Sequence, residues 1–177
     1  ELCANFLTLS ENRKRIKRDK NPKKFNNEYS ELIINNLPFK LTSDQNKVLD
    51  EINKDLLSNK RMFRIIQGDV GSGKTIVSLL AIINVIKSGY QCALMGPTEI
   101  LARQHYELTK KIFEQINIKI DFLTGKTEYK QKKEILNNLS IGKTNLLIGT
   151  HALFQKKINF KKLGLVVIDE QHKFGVK

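Results

Sequence analysis

The chain has 177 residues, 40% of them apolar, which is enough for one α/β domain with a short appendage. Its 31 basic residues against 18 acidic ones leave a formal net charge of +13, which suits a polyanionic partner and fits nucleic acid better than a membrane. Composition excludes a membrane span and a disulfide framework: the near-apolar run 76–86 is interrupted by Ser78 and Asn84, and the cysteines are only Cys3 and Cys92.

Much of the basic excess is lysine, which also reads as a solvated surface or as the product of a biased genome. Two cysteines, one of them in an apolar strand, point to a reducing cytoplasm. The start, Glu-Leu-Cys, is no signal peptide, and without an initiating methionine it predicts a piece of something longer.

Leu2, Phe6 and Leu9 have helical spacing, and residues 13–24 then turn strongly basic. That run reads as a solvated helix end or linker, or as a nucleic-acid contact. Pro22 and Asn26-Asn27 mark a break, and a short helix over 28–36 ends before Leu37-Pro38-Phe39. Thr42-Ser43-Asp44-Gln45 has the form of a capping box, and Val48, Ile52 and Leu56 give the next helix an apolar face.

Strands are expected near 62–67, 90–96, 118–123, 144–149 and 164–169, with helices near 74–88, 98–116 and 127–139. Gly89 should stop the first of these helices and Thr98 should cap the second. Alternating β and α segments of this length imply a parallel sheet with helices on both faces, joined by right-handed crossovers.

Between the first strand and helix lies Gly68-Asp69-Val70-Gly71-Ser72-Gly73-Lys74-Thr75, which fits the phosphate-binding loop G-x-x-x-x-G-K-[ST]. A polyphosphate must be met by inward backbone N–H groups, and Gly68, Gly71 and Gly73 allow that approach. The helix N-terminus adds partial positive charge. Lys74 brings a full charge to the β/γ-phosphates, and the Thr75 hydroxyl is placed to ligate Mg²⁺. A glycine-rich turn with no ligand is the plainer alternative.

Leu165-Val166-Val167-Ile168-Asp169-Glu170 supplies the acidic half. Four apolar residues read as a strand buried on both faces, with carboxylates emerging at its carboxyl end, where open α/β sheets bind ligands. Asp169 would hold Mg²⁺ and Glu170 would polarise the attacking water. Dispersed histidines and distant cysteines give no metal-site spacing.

With these placed, five motifs occur in order: the glycine loop from Gln67 to Thr75, Pro97-Thr98-Glu99-Ile100-Leu101-Ala102, Leu123-Thr124-Gly125, Gly149-Thr150-His151-Ala152-Leu153 and Asp169-Glu170-Gln171-His172. Together they resemble the RecG-type branch-migration DNA helicases of superfamily 2, over about residue 37 to the end. Ser72 and the 98–101 run favour this branch over its repair-translocase and replication-restart relatives. Gly96, where alanine is expected, and Lys173, where arginine is common, depart from the pattern.

The resemblance implies an α/β fold: a RecA-like P-loop NTPase domain over 37–177, the first motor lobe, with an N-terminal helical basic connector over 1–36. It implies ATP and Mg²⁺ as cofactors, branched DNA (forks and Holliday junctions) as partner, and a cytoplasmic monomer. Gln45 would sit near the adenine, with Ser72 in the phosphate loop. Thr98, Gln104, Thr124, Gly125, Thr150 and His151 would face the nucleic-acid backbone. Gln171 and His172 would couple the nucleotide site to the rest of the motor. The capping box is the rival role for Gln45, and ordinary polar helix positions are the rival for His151 and His105. The second lobe with its arginine fingers is expected to lie outside this chain, leaving slow turnover or none. A non-catalytic binding module is the alternative of a different class.

Overall fold

A computed structural model describes residues 28–155 and 157–170. The expectations for residues 1–27, including the basic run 13–24, and for Gln171 and His172 fall outside these. In chain order the helices are α1 (Glu28–Asn36), α2 (Ser43–Leu57), α3 (Lys74–Lys87), α4 (Glu99–Ile112) and α5 (Tyr129–Ile141), and the strands are β1 (Gln91–Met95), β2 (Ile120–Leu123), β3 (Leu146–Gly149) and β4 (Leu163–Ile168). A 3₁₀ turn, His151–Phe154, follows β3.

The sheet is four-stranded, ordered β2-β3-β1-β4, and every pairing is parallel. Alternation along β3 divides the core. Leu146 and Ile148 join a large cluster with α1, α2 and α3, while Leu147 joins a smaller one with Ile135 and Leu139 of α5. Helices therefore flank both faces, as the β/α alternation requires.

Local chemistry sets the helix ends. Thr42 and Gln45 form the reciprocal capping box of α2, and the Thr98 hydroxyl accepts from Leu101 N–H to start α4. Nine of the ten residues 77–86 of α3 are buried against α1, α2 and β1, with Ser78 half-buried, as its near-continuous apolar run demands.

The strand expected at 62–67 does not form. Residues 61–69 run without regular structure as one wall of a cleft whose other wall includes the end of β4. A strand needs a neighbour for its backbone groups, and β4, the sheet's last strand on this side, lies across the open space. The segment is held instead by side chains. Met62 and Ile66 pack on the core, and Arg64 bonds to Asp55 at 2.8 Å and Glu51 at 2.7 Å.

Burial of β4 on both faces is likewise not found: Leu165 is buried, but Val166 is 47% and Ile168 40% exposed. As the edge strand, β4 packs against α3 on one face, while Val166 and Ile168 remain exposed on the other.

Candidate nucleotide site and strand-end row

The glycine loop reaches α3 through two left-handed residues, Gly71 (φ +82) and Gly73 (φ +81). Gly73 is the N-cap of α3 and brings no side-chain acceptor to the first-turn amides, which suits an anion there. A Cβ on Gly73 would lie 2.3 Å from Gln45 Nε2 and displace that amide, while the left-handed φ is what disfavours other residues there. Gly68 passes close to Ser72, whose Oγ would be 2.8 Å from an added Cβ.

Lys74 Nζ lies inside the loop and donates to the carbonyls of Gly68 and Asp69, each at 2.7 Å. Thr75 follows in the first turn of α3, half-buried. Gln45 is occupied at both ends: its Oε1 accepts from Thr42 N–H at 2.9 Å, and its Nε2 donates to Ser72 O at 2.9 Å. The cap that frames α2 thus also braces the glycine loop.

Asp169 leaves the end of β4 with its N–H donating to Met95 O at 2.9 Å. Its Oδ1 accepts from Glu170 N–H at 3.0 Å, and its Oδ2 lies 2.7 Å from His105 Nε2. Glu170 has φ +51, a left-handed conformation that costs a residue other than glycine on the order of 1 kcal/mol. Lys74, Thr75, His105, Asp169 and Glu170 line one cleft of about 930 Å³, near the upper end for small-molecule sites.

This donor set fits a magnesium nucleotide. Among the described residues no three His, Cys, Asp or Glu side chains gather as a metal cage. Mg²⁺ needs none, since it is bound through one or two protein oxygens with phosphates and water.

The candidate nucleic-acid residues fall on the carboxyl ends of successive strands. Thr98 follows β1, Thr124 and Gly125 follow β2, and Thr150 and His151 follow β3. Backbone bonds join the ends, Gly96 N–H to Gly149 O at 2.9 Å and Thr150 N–H to Leu123 O at 3.4 Å. The sheet order therefore gives a spatial row of Thr124, Thr150, Thr98 and Asp169.

Gly125, His151, Thr98 and Gln104 are exposed along this edge and Thr150 is half-buried. Thr124 is different. It is 4% exposed, and its hydroxyl accepts from Lys126 N–H at 3.3 Å while its own N–H donates to Thr127 Oγ1. Gly96 also has a local reason, because a Cβ there would lie 2.9 Å from the Ala102 backbone nitrogen at the start of α4.

Two contributors were not singled out by the motifs. Arg64 forks onto Asp55 and Glu51, and the hydrogen bond to Asp55 raises its guanidinium above the ordinary value against the opposing effect of burial. His105 turns inward onto Asp169. The signal for His105 was in its phase, since Ala102, His105 and Thr109 form the buried stripe of α4.

The DEAD/DEAH box helicase family model matches residues 42–177. The ATP-dependent DNA helicase RecG of Thermotoga maritima is 49% identical over 88% of this chain and 20% of its own length. That of Aquifex aeolicus is 46% identical over 99% of the chain and 22% of its own. A solved structure of RecG bound to a three-way DNA junction superposes with a TM-score of 0.86 at 44% identity, covering 98% of this chain and 24% of that one. A hypothetical ATP-dependent RNA helicase from Sulfolobus tokodaii, 23% identical with a TM-score of 0.60 over 83% of this chain and 42% of its own, shares the fold. The chain spans about a fifth of the length of these curated relatives.

Proposed function

From the premise that the chain belongs to the DEAD/DEAH box helicase family, we propose that it is the ATP-binding motor lobe of a branch-migration DNA helicase acting on stalled forks and Holliday junctions. The observation that carries this is the meeting of Lys74, Thr75, Asp169 and Glu170 around one cleft, on the sheet edge that also bears Thr98 and Thr150. The RecG structure it resembles holds a three-way DNA junction, which supports branched DNA as partner. Residues 37–177 form the lobe in this reading and 1–36 its connector, in a cytoplasmic monomer.

In this reading each residue has a task. Lys74 exchanges its loop carbonyls for the β/γ-phosphates, a stronger, charge-assisted pairing. Amides of the glycine loop and the α3 N-terminus meet the same phosphates. Gln45 braces the loop at Ser72 O and in this reading sits near the adenine. The Thr75 hydroxyl and the Asp169 carboxylate would hold Mg²⁺, which when bound neutralises charge on the phosphate oxygens. Glu170 polarises the attacking water. Thr98, Gln104, Gly125, Thr150 and His151 meet the sugar-phosphate backbone without reading sequence, while Thr124 shapes its turn. Gln171 and His172 pass the state of the site onward.

Glu170→Gln in the intact helicase keeps shape and removes the charge, so DNA-stimulated ATP hydrolysis should fall by about 10²-fold or more with nucleotide binding retained. An unchanged rate would remove Glu170 from the mechanism.

A further inference from the structure

We infer that His105 is a positioning residue for the metal-binding carboxylate, orienting Asp169 from helix α4. This rests on the reading of Asp169 as a Mg²⁺ ligand given above. The contact is short, 2.7 Å from Nε2 to Oδ2, and well shielded, with the His105 side chain 9% and the Asp169 side chain 27% exposed. A carboxylate only accepts, so Nε2 carries the proton and donates.

The geometry around Asp169 leaves His105 a specific task. The main-chain bond to Met95 fixes where the residue sits, and the Glu170 N–H holds Oδ1. Neither restrains Oδ2. His105 does, and two donors on two oxygens set the plane of the carboxylate. Helix α4 places the imidazole on its buried stripe between Ala102 and Thr109, and the Thr109 hydroxyl donates to the main-chain carbonyl of His105 at 2.6 Å. Partners that orient a ligand carboxylate are worth about 10–100-fold in metal affinity.

The bond also joins helix α4 to the residue that follows β4. Helix α4 is capped by Thr98, on the strand-end row, and His105 lies seven residues on, about 10 Å along the axis.

The test uses a fluorescent ATP analogue and this chain, with affinity measured in EDTA and across a Mg²⁺ titration. His105→Leu keeps the buried volume and removes the donor. His105→Gln places an amide N–H where Nε2 was. His105→Leu should leave the affinity in EDTA within about twofold and lose about tenfold of the Mg²⁺-dependent gain, and His105→Gln should recover most of it. Equal losses in the two variants, or a Mg²⁺ response unchanged in His105→Leu, would overturn the inference. Asp169→Asn separates the levels. If it abolishes the Mg²⁺ response while His105→Leu does not, only the role of His105 is lost. If Asp169→Asn changes nothing, the metal assignment fails and takes this inference with it.

Discussion

Gln45 shows how one side chain serves two structures. Its oxygen closes the capping box with Thr42, and its amide nitrogen grips Ser72 O in the glycine loop. Gln45→Ala should therefore lower stability by about 1 kcal/mol through the lost cap and also weaken nucleotide binding. Urea unfolding and analogue titration on the same variant would check both, and a change in stability alone would confine Gln45 to capping. Gly149 is constrained by contact, because a Cβ there would stand 1.9 Å from Leu123 O and 3.0 Å from Leu123 C. Both are backbone atoms of the neighbouring strand. Gly149→Ala must part β2 from β3, and a loss of about 3 kcal/mol or more is expected in urea unfolding. At this scale the motif residues were legible, because phosphate chemistry restricts residue type and spacing together. The phase of His105 marked only its burial, and nothing marked Arg64, because their partners lie 64 and 9 residues away, beyond any local pattern.

Among the elements, α3 is the central one, and one of its two polar interruptions, Asn84, joins three helices. Asn84 is fully buried; its Oδ1 accepts from Ser30 N–H in the first turn of α1 at 3.1 Å, and its Nδ2 donates to Ser30 Oγ at 3.1 Å and Asn53 Oδ1 at 3.4 Å. One side chain thus supplies an acceptor to a helix start and joins α1, α2 and α3. Asn84→Ala removes these bonds and leaves buried polar partners unpaired, so about 1–3 kcal/mol should be lost. A thermal scan should show the melting temperature falling by several degrees. Gln91 does comparable work at the start of β1, donating to Leu139 O and Thr144 O and accepting from Lys162 N–H. The Ser78 and Asn84 breaks in the apolar run are visible in sequence, but which helices Asn84 joins depends on packing.

For the whole molecule the charge of +13 makes a prediction about binding. If the strand-end row and its flanking lysines contact DNA backbone, affinity for a branched junction should fall steeply and linearly on logarithmic axes with added salt. Each neutralised phosphate contributes a slope of about 0.9, so several contacts would cost about 10²-fold or more between low and physiological salt. Fluorescence anisotropy with a labelled three-way junction measures this. A flat response would return the lysines to the role of a solvated surface. Among the described residues no helix is long and apolar enough to cross a membrane, which accords with the interrupted run at 76–86.

Sequence alone determined the glycine turn into α3, the two acidic residues after β4, the caps at Thr42 and Thr98, and the alternation that makes the sheet parallel. These depend on neighbours within a few residues, or on a period that side-chain burial enforces. The tertiary structure decided what needs a partner across space. An apolar β-prone segment at 62–67 is a strand only if another strand meets it, and here it faces a cleft instead. Four apolar residues in β4 are buried twice only if both faces are covered, and strand order puts β4 at the edge. His105 reads as one more polar helix position until α4 is laid over β3 and β2, when the fold brings it within a hydrogen bond of Asp169 just past the end of β4. Periodicity fixes which face of an element is inward; only the packed neighbours decide what that face touches.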